Sequence, residues 1–390
     1  MTLFLAGIFL LITVLALALI RELRTKNMLI WLPTYIRRKK CPTHAGPTHI
    51  MFCFVDHFEP RWGGADYDSE VRRVDRWSDE YPKLAKKHRD ADGCHPKHCF
   101  YYPEEEYRKE HLDKIEALCR QGLGEIEIHL HHEDDTEAGL REKLSRFTQT
   151  LHNTHGALSK HPETGKLAWG FVHGDWALDN SEATGANCGI NNELIILREE
   201  GCYADFTLPS APSNTQTTKI NSIYYAKDDP NKPKSHNHGK DVSVDGKPWG
   251  DLMIVQGPLM LNWKNRKWGL LPRIENSDIR GNSPPSPNRI ALWVKAGIHV
   301  QGRPEWVFIK IHTHGTQEND MDTLLGEPVD AMFTELENNY NDGRNYSLHY
   351  VSTREMYNII KAAEAGNAGN PHEFRNYILP PPENCSGQHM

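Results

Sequence analysis

Apolar and polar residues alternate with period two along Glu125-Ile126-Glu127-Ile128-His129-Leu130-His131. The pattern predicts a strand with Ile126, Ile128 and Leu130 on one face. Glu125, Glu127, His129 and His131 fall on the other. Similar runs predict strands over residues 49–56, 97–102, 167–173, 202–207, 306–312 and 346–351. Amphipathic runs predict helices over 69–88, 104–121, 136–159, 191–200, 288–300, 321–339 and 353–365. About seven β/α units in succession imply an α/β fold with a parallel sheet, most economically a distorted (β/α)7 barrel over 48–365. In such barrels the chemistry sits at the C-terminal ends of the strands. Residues 209–285 break the rhythm, being rich in Pro, Gly, Asn, Asp and Lys. Isolated strands at 220–225 and 252–256 make this an elaborated insertion rather than a second domain. The tail, 366–390, is expected to be irregular.

The N-terminus follows a different pattern. Residues 1–20 carry no charged side chain. As a helix they span about 30 Å, the thickness of a bilayer's hydrocarbon core. Arg21, Arg24, Lys26, Arg37, Arg38, Lys39 and Lys40 follow. Such basic flanks are retained on the cytoplasmic side. The expectation is a transmembrane helix at 1–22 and a juxtamembrane linker at 23–47. The globular part then faces the cytoplasm from the inner membrane. Trp31 and Tyr35 in the linker are expected near the headgroups.

Composition adds limits. A net charge of −7 over 390 residues argues against nucleic acid as a partner. The eight cysteines contain no CxxC pair and suit a reducing compartment. Cys94 and Cys99 with His95 and His98 offer a small metal site, against the simpler alternative of scattered thiols. No GxGxxG or P-loop sequence supports a nucleotide cofactor. The 22 histidines, several clustered, point toward metal chemistry.

The clusters fall at predicted strand ends. His129 and His131, two apart on one strand face, can grip one metal ion. An apolar strand ends in Asp56-His57-Phe58-Glu59, where buried polar groups need water, a metal or one another. Asp56 is the expected third metal ligand; His57 and Glu59 are second choices. In His173-Gly174-Asp175-Trp176, Asp175 can act as the base, orient a histidine or cap a helix. Asp205 can bind a sugar hydroxyl, steady a ligand histidine or stabilise a turn. Lys310, His312 and His314 share a face late in the chain. One of these imidazoles is expected to be the general acid or, alternatively, to complete the metal shell. Lys310, inside an apolar strand, calls for a carboxylate partner, with Glu127 as the candidate. Trp62, Trp176, Trp249 and Trp263 are candidates for stacking on sugar rings, and His173 for lining the substrate site.

Together these motifs resemble the polysaccharide deacetylase superfamily, the NodB-homology proteins of carbohydrate-esterase type. Cys53-Phe54-Val55-Asp56 resembles the family's first motif, with Asp56 where the metal-binding Asp stands. Val55 occupies the place of the family's base. His129-Leu130-His131 is similar to the His-x-His variant of divergent members. Ile311-His312-Thr313-His314 resembles the motif of the catalytic histidine, with His314 preferred over His312. The resemblance implies the barrel and a divalent metal, most simply Zn²⁺, held by Asp56, His129 and His131. It also implies removal of an N-acyl group from a saccharide, with His314 or His312 as acid; with Val55 in the family's base position, Asp175 or Glu59 is the base expected from the residues themselves. A lipid-linked or nucleotide-linked saccharide is the expected substrate. The alternatives are a glycoside or ester hydrolase of the same fold, or a non-catalytic, membrane-tethered glycan-binding scaffold.

Overall fold

The computed structural model describes residues 2–39 and 41–388. In chain order the strands are β1 Thr48–His57, β2 His98–Pro103, β3 Gly124–Leu130, β4 Ser159–Lys160, β5 Leu167–His173, β6 Cys202–Asp205, β7 Ile223–Ala226, β8 Lys240–Asp241, β9 Leu252–Val255, β10 Met260–Lys267, β11 Leu271–Glu275, β12 Trp306–Thr313 and β13 Tyr346–Tyr350. The main sheet runs β12-β1-β2-β3-β5-β6-β9 with every neighbour parallel, then continues antiparallel into β7 and β8. β13 shares an edge of β1 with β2, pairing with residues 48–52 while β2 pairs with 54–57. The molecule is thus a mixed α/β fold with a large, mostly parallel sheet.

The closed barrel is corrected in one respect. Among the described residues, strand pairing does not join β12 to β6. A side chain bridges the gap instead: Lys310 Nζ donates to the carbonyls of Phe206 and Leu208, each at 2.7 Å. Lys310 therefore does not pair with Glu127, which accepts from the Gly170 amide and the Tyr203 hydroxyl. Burial lowers the Lys310 pKa to about 7 and raises that of Glu127 to about 8. The expected insertion is part of the sheet, because β9 pairs with β6 and β7 pairs with β9.

Strand alternation sorts side chains onto two faces, both buried. Met51, Cys53, Val55, Cys99, Tyr101, Val172, Trp306 and Phe308 fill the inner face. Phe52, Phe54, Phe100, Ile126, Ile128, Phe171, Ile309 and Ile311 pack outward under the helices. β1 is apolar on both faces, as parallel strands covered on both sides are.

The expectation of a membrane-spanning segment at 1–22 is overturned. Among the described residues no helix is long and apolar enough to cross a membrane. Helix α1, Thr2–Thr25, runs on through Arg21, Glu22 and Arg24. Its C-terminal turn joins the globular body, where Glu22 pairs with Lys267 of β10 at 2.8 Å. Helix α2, Met28–Arg37, follows. Trp31 is fully buried with Met28 against Ala211, Leu259 and Leu261, so it does not sit as an exposed interfacial anchor. The single-pass, inner-membrane arrangement rested on that segment. The tail is also tied down: Arg375 bridges Asp90, Asp92 and Glu355.

Candidate metal centre

Glu59 lies just past the inner-facing end of β1 and is the hub of the inner mouth. His129 Nε2 stands 3.0 Å and His131 Nε2 3.4 Å from its Oε1. His314 Nδ1 lies 3.5 Å from Oε2, and His57 Nδ1 4.0 Å from Oε1. The ligand atoms of Glu59, His129 and His131 lie within 4.8 Å of one another, as do those of His57, Glu59 and His314.

The two histidines of β3 are oriented from behind. His129 Nδ1 donates to the Val172 carbonyl at 2.6 Å, and His131 Nδ1 meets Glu105 Oε1 at 2.5 Å. Occupied Nδ1 atoms leave both Nε2 atoms facing Glu59, the tautomer a metal ligand requires. Gly174 makes room for this: a Cβ there would lie 2.2 Å from His131 Cδ2.

Charge explains the shifts. Burial opposes ionisation of Glu59, but the facing imidazoles of His129, His131 and His314 hold its carboxyl well below the usual range. Burial likewise opposes charging of His131, but Glu105 and Glu59 raise it to about 10. His57 and His312 are pushed well down, first by burial and then by the neighbouring imidazoles and, for His312, by Lys310. Glu106, whose Oε2 accepts from the Arg61 amide, is raised by burial to about 7. His57 Nδ1 and both ring nitrogens of His314 are buried without a hydrogen-bond partner. Unpaired buried nitrogens beside a carboxylate are costly, and an ion or a water among them would satisfy them. Two imidazoles and a carboxylate with an open side suit a divalent ion such as Zn²⁺. This geometry supports a metal site without identifying the metal.

The expected site residues divide. His129, His131, Glu59 and His314 come together, and Trp176 walls the site with its ring 5.9 Å from His57 and 5.7 Å from His314. Asp56 does not join them. Alternation turns it outward, where it meets His98 Nε2 at 2.7 Å and accepts from the Gly315 amide at 2.5 Å. Gly315 is required there, since a Cβ would lie 1.9 Å from Asp56 Oδ2. Glu59, not Asp56, faces His129 and His131. Asp175 is exposed in a left-handed turn (φ 52°) and is not among the groups that converge on Glu59. His312 faces inward, but its ligand atoms do not join the Glu59 group. Asp205 is fully buried, spent on the Thr207 amide and hydroxyl, and so is closed to a sugar. His173 is also fully buried and points outward. Trp62 is 46 % exposed, and its carbonyl accepts from Arg73. Cys94, His95, His98 and Cys99 do not converge: His98 turns out to Asp56 while Cys99 turns in to Cys53.

Sequence reasoning missed Glu105 and Glu106. They sit on a turn, Glu104–Glu106, immediately after β2. Three acidic residues directly after a strand's C-terminal end were the available signal. A cleft of about 1350 Å³ between α1, α2 and the β10–β11 hairpin is lined by none of these histidines. No family model matches this chain and no curated protein matches it, so its chemistry has to be read from its own side chains.

Proposed function

We propose that the chain is a metal-dependent hydrolase that removes an N-acyl group, acetyl first, from a saccharide or glycoconjugate. The observation that carries the reading is the convergence of Glu59, His129 and His131 beside the unpartnered nitrogens of His57 and His314. Bound by those three residues, a divalent ion would polarise an acyl carbonyl and activate a water. The protein's own groups divide the remaining work. Val172 and Glu105 hold the imidazoles in the ligating tautomer. Glu106, on the turn that also carries Glu105 and near neutrality, is the proposed base in place of Asp175. His314, across Glu59 from the β3 histidines, gives a proton to the departing amine. Trp176 offers an apolar face on which a sugar ring can stack.

Fold alone does not choose among amide, ester and glycosidic bonds. The test is acetate release by the purified, zinc-loaded full chain from a panel of N-acetylated and O-acetylated oligosaccharides. Release of acetate with a free amine, lost in Glu59→Gln and His129→Ala, is the expected result. New reducing ends without acetate would replace this reading with the glycoside-hydrolase alternative. No product from a metal-loaded wild type would leave the non-catalytic one.

A further inference from the structure

A second group of ligating side chains lies on the opposite face of β3. His132 follows the ligand His131, and alternation turns it outward, as it does His173 at the end of β5. There they meet Glu193, the first residue of the helix Glu193–Glu200, and Cys188 from the loop between Asn180 and Asn192. Glu193 Oε1 is 3.0 Å from His132 Nε2 and 3.4 Å from His173 Nε2, and Cys188 Sγ is 3.6 Å from Oε2. One ligand atom from each of the four lies within 4.8 Å of the others, and all four residues are buried.

Tetrahedral zinc with nitrogen, oxygen and sulfur ligands sets its donors about 3.3–3.7 Å apart. The separations here, 3.0, 3.4 and 3.6 Å, overlap that range. One atom in particular calls for a cation. His173 Nδ1 donates its proton to the Gly174 carbonyl at 2.5 Å. In the neutral ring its Nε2 carries a lone pair, is fully buried, has no hydrogen-bond partner and faces the Glu193 carboxylate. Two electron-rich atoms in contact without water are repulsive; a cation between them removes the conflict. A carboxylate also stands behind the other imidazole, with Asp135 Oδ2 3.4 Å from His132 Nδ1.

We propose that His132, His173, Cys188 and Glu193 form a closed, four-ligand site for Zn²⁺ that is separate from the inner centre. All four positions are filled by protein, the arrangement of structural rather than catalytic zinc. The ion staples the Cys188 loop to the segment after β3, where Asp134 and Asp135 amides already donate to Ala186 and Cys188 carbonyls. The two centres stand back to back. His131 and His132 are neighbours in the chain, and so are His173 and Gly174, whose bare Cα lets the His131 ring lie against it. The outer site thereby fixes the position of an inner ligand.

Cobalt is the probe. The full chain is stripped with a chelator and refilled with Co²⁺, and its near-ultraviolet spectrum and metal content are recorded. The expected result is a thiolate-to-cobalt charge-transfer band and two ions per chain. His129→Ala should lose one ion and keep the band; Cys188→Ser should lose the band. Because the inner centre has no sulfur, failure of the proposed activity and failure of this site give different readings. If Cys188→Ser does not fold, zinc-edge X-ray absorption of His129→Ala replaces it, with one sulfur scatterer expected. A wild type that binds cobalt without the band, or zinc without a sulfur neighbour, overturns the proposal.

Discussion

The two faces of β3 put the same residue type to different uses. His131 faces the inner mouth with its side chain about a third exposed, beside Glu59 and the partly open Glu105. His132, the next residue, faces outward and its side chain is fully buried with Glu193. The inner group has three converging ligands and an open side; the outer has four and none. Access, rather than ligand type, is what would let the proposed inner centre meet a substrate while the proposed outer one holds the fold together.

That contrast can be broken by removing one ligand from each side. Glu193→Ala strips the outer cluster of its only carboxylate and leaves a cavity among buried polar groups. It should cost about 3–5 kcal/mol of stability, as other broken buried pairs do. Denaturant titration measures this, and a loss below about 1 kcal/mol would speak against a structural centre. His129→Ala should leave the fold intact and weaken inner metal binding by more than about 100-fold, beyond the range for outer-shell partners. Equal inner-site affinity in wild type and variant would remove the inner centre.

Glu105→Gln sharpens the comparison from behind the ligand. It loosens His131 without touching the metal position and should weaken inner binding by about 10–100-fold, leaving the outer ion in place. The pH dependence tests the same histidine. Without metal, His131 holds its proton up to about pH 10, against an ordinary value of 6.5. The stabilisation it gives the metal-free protein is complete below pH 6.5 and is lost as pH rises through about 10. An ion must displace that proton, so inner affinity should rise about tenfold per pH unit across this window. Competition titrations at two pH values read that slope, and a flat profile would exclude His131 as a ligand. Asp175→Asn gives the smallest effect. The side chain is exposed and Asn tolerates the left-handed turn, so stability and turnover should change by no more than about 0.5 kcal/mol, roughly twofold. A large fall in turnover would restore Asp175 as the base.

Much of the frame was legible in the sequence. The strand expected at 49–56 is Thr48–His57, and that at 306–312 is Trp306–Thr313. The alternation of β3 placed His129 and His131 on one face, where they are found. Asp56 was misplaced because β1 is apolar on both faces. Met51, Cys53 and Val55 look no more internal than Phe52 and Phe54, so nothing local told whether Asp56 or His57 turns inward. The helix expected over 321–339 breaks at Leu325-Gly326, giving Glu318–Leu324 and Glu327–Asn339. The apolar N-terminal run looked like a bilayer span, since a sequence window cannot see Glu22 meet Lys267 from the far hairpin.

The chain's pattern by itself determined the alternating strands, the succession of β and α units and the concentration of His and acidic residues at strand ends. Those follow from local sterics and periodicity, which neighbouring residues settle among themselves. Only the tertiary structure decided that Glu59 rather than Asp56 meets the β3 histidines, that Lys310 spans an unpaired gap, and that Cys188 and Glu193 close around His132 and His173. Each of these joins groups remote in sequence, and its energy depends on which face a strand buries, which is set only when the sheet and its covering helices pack.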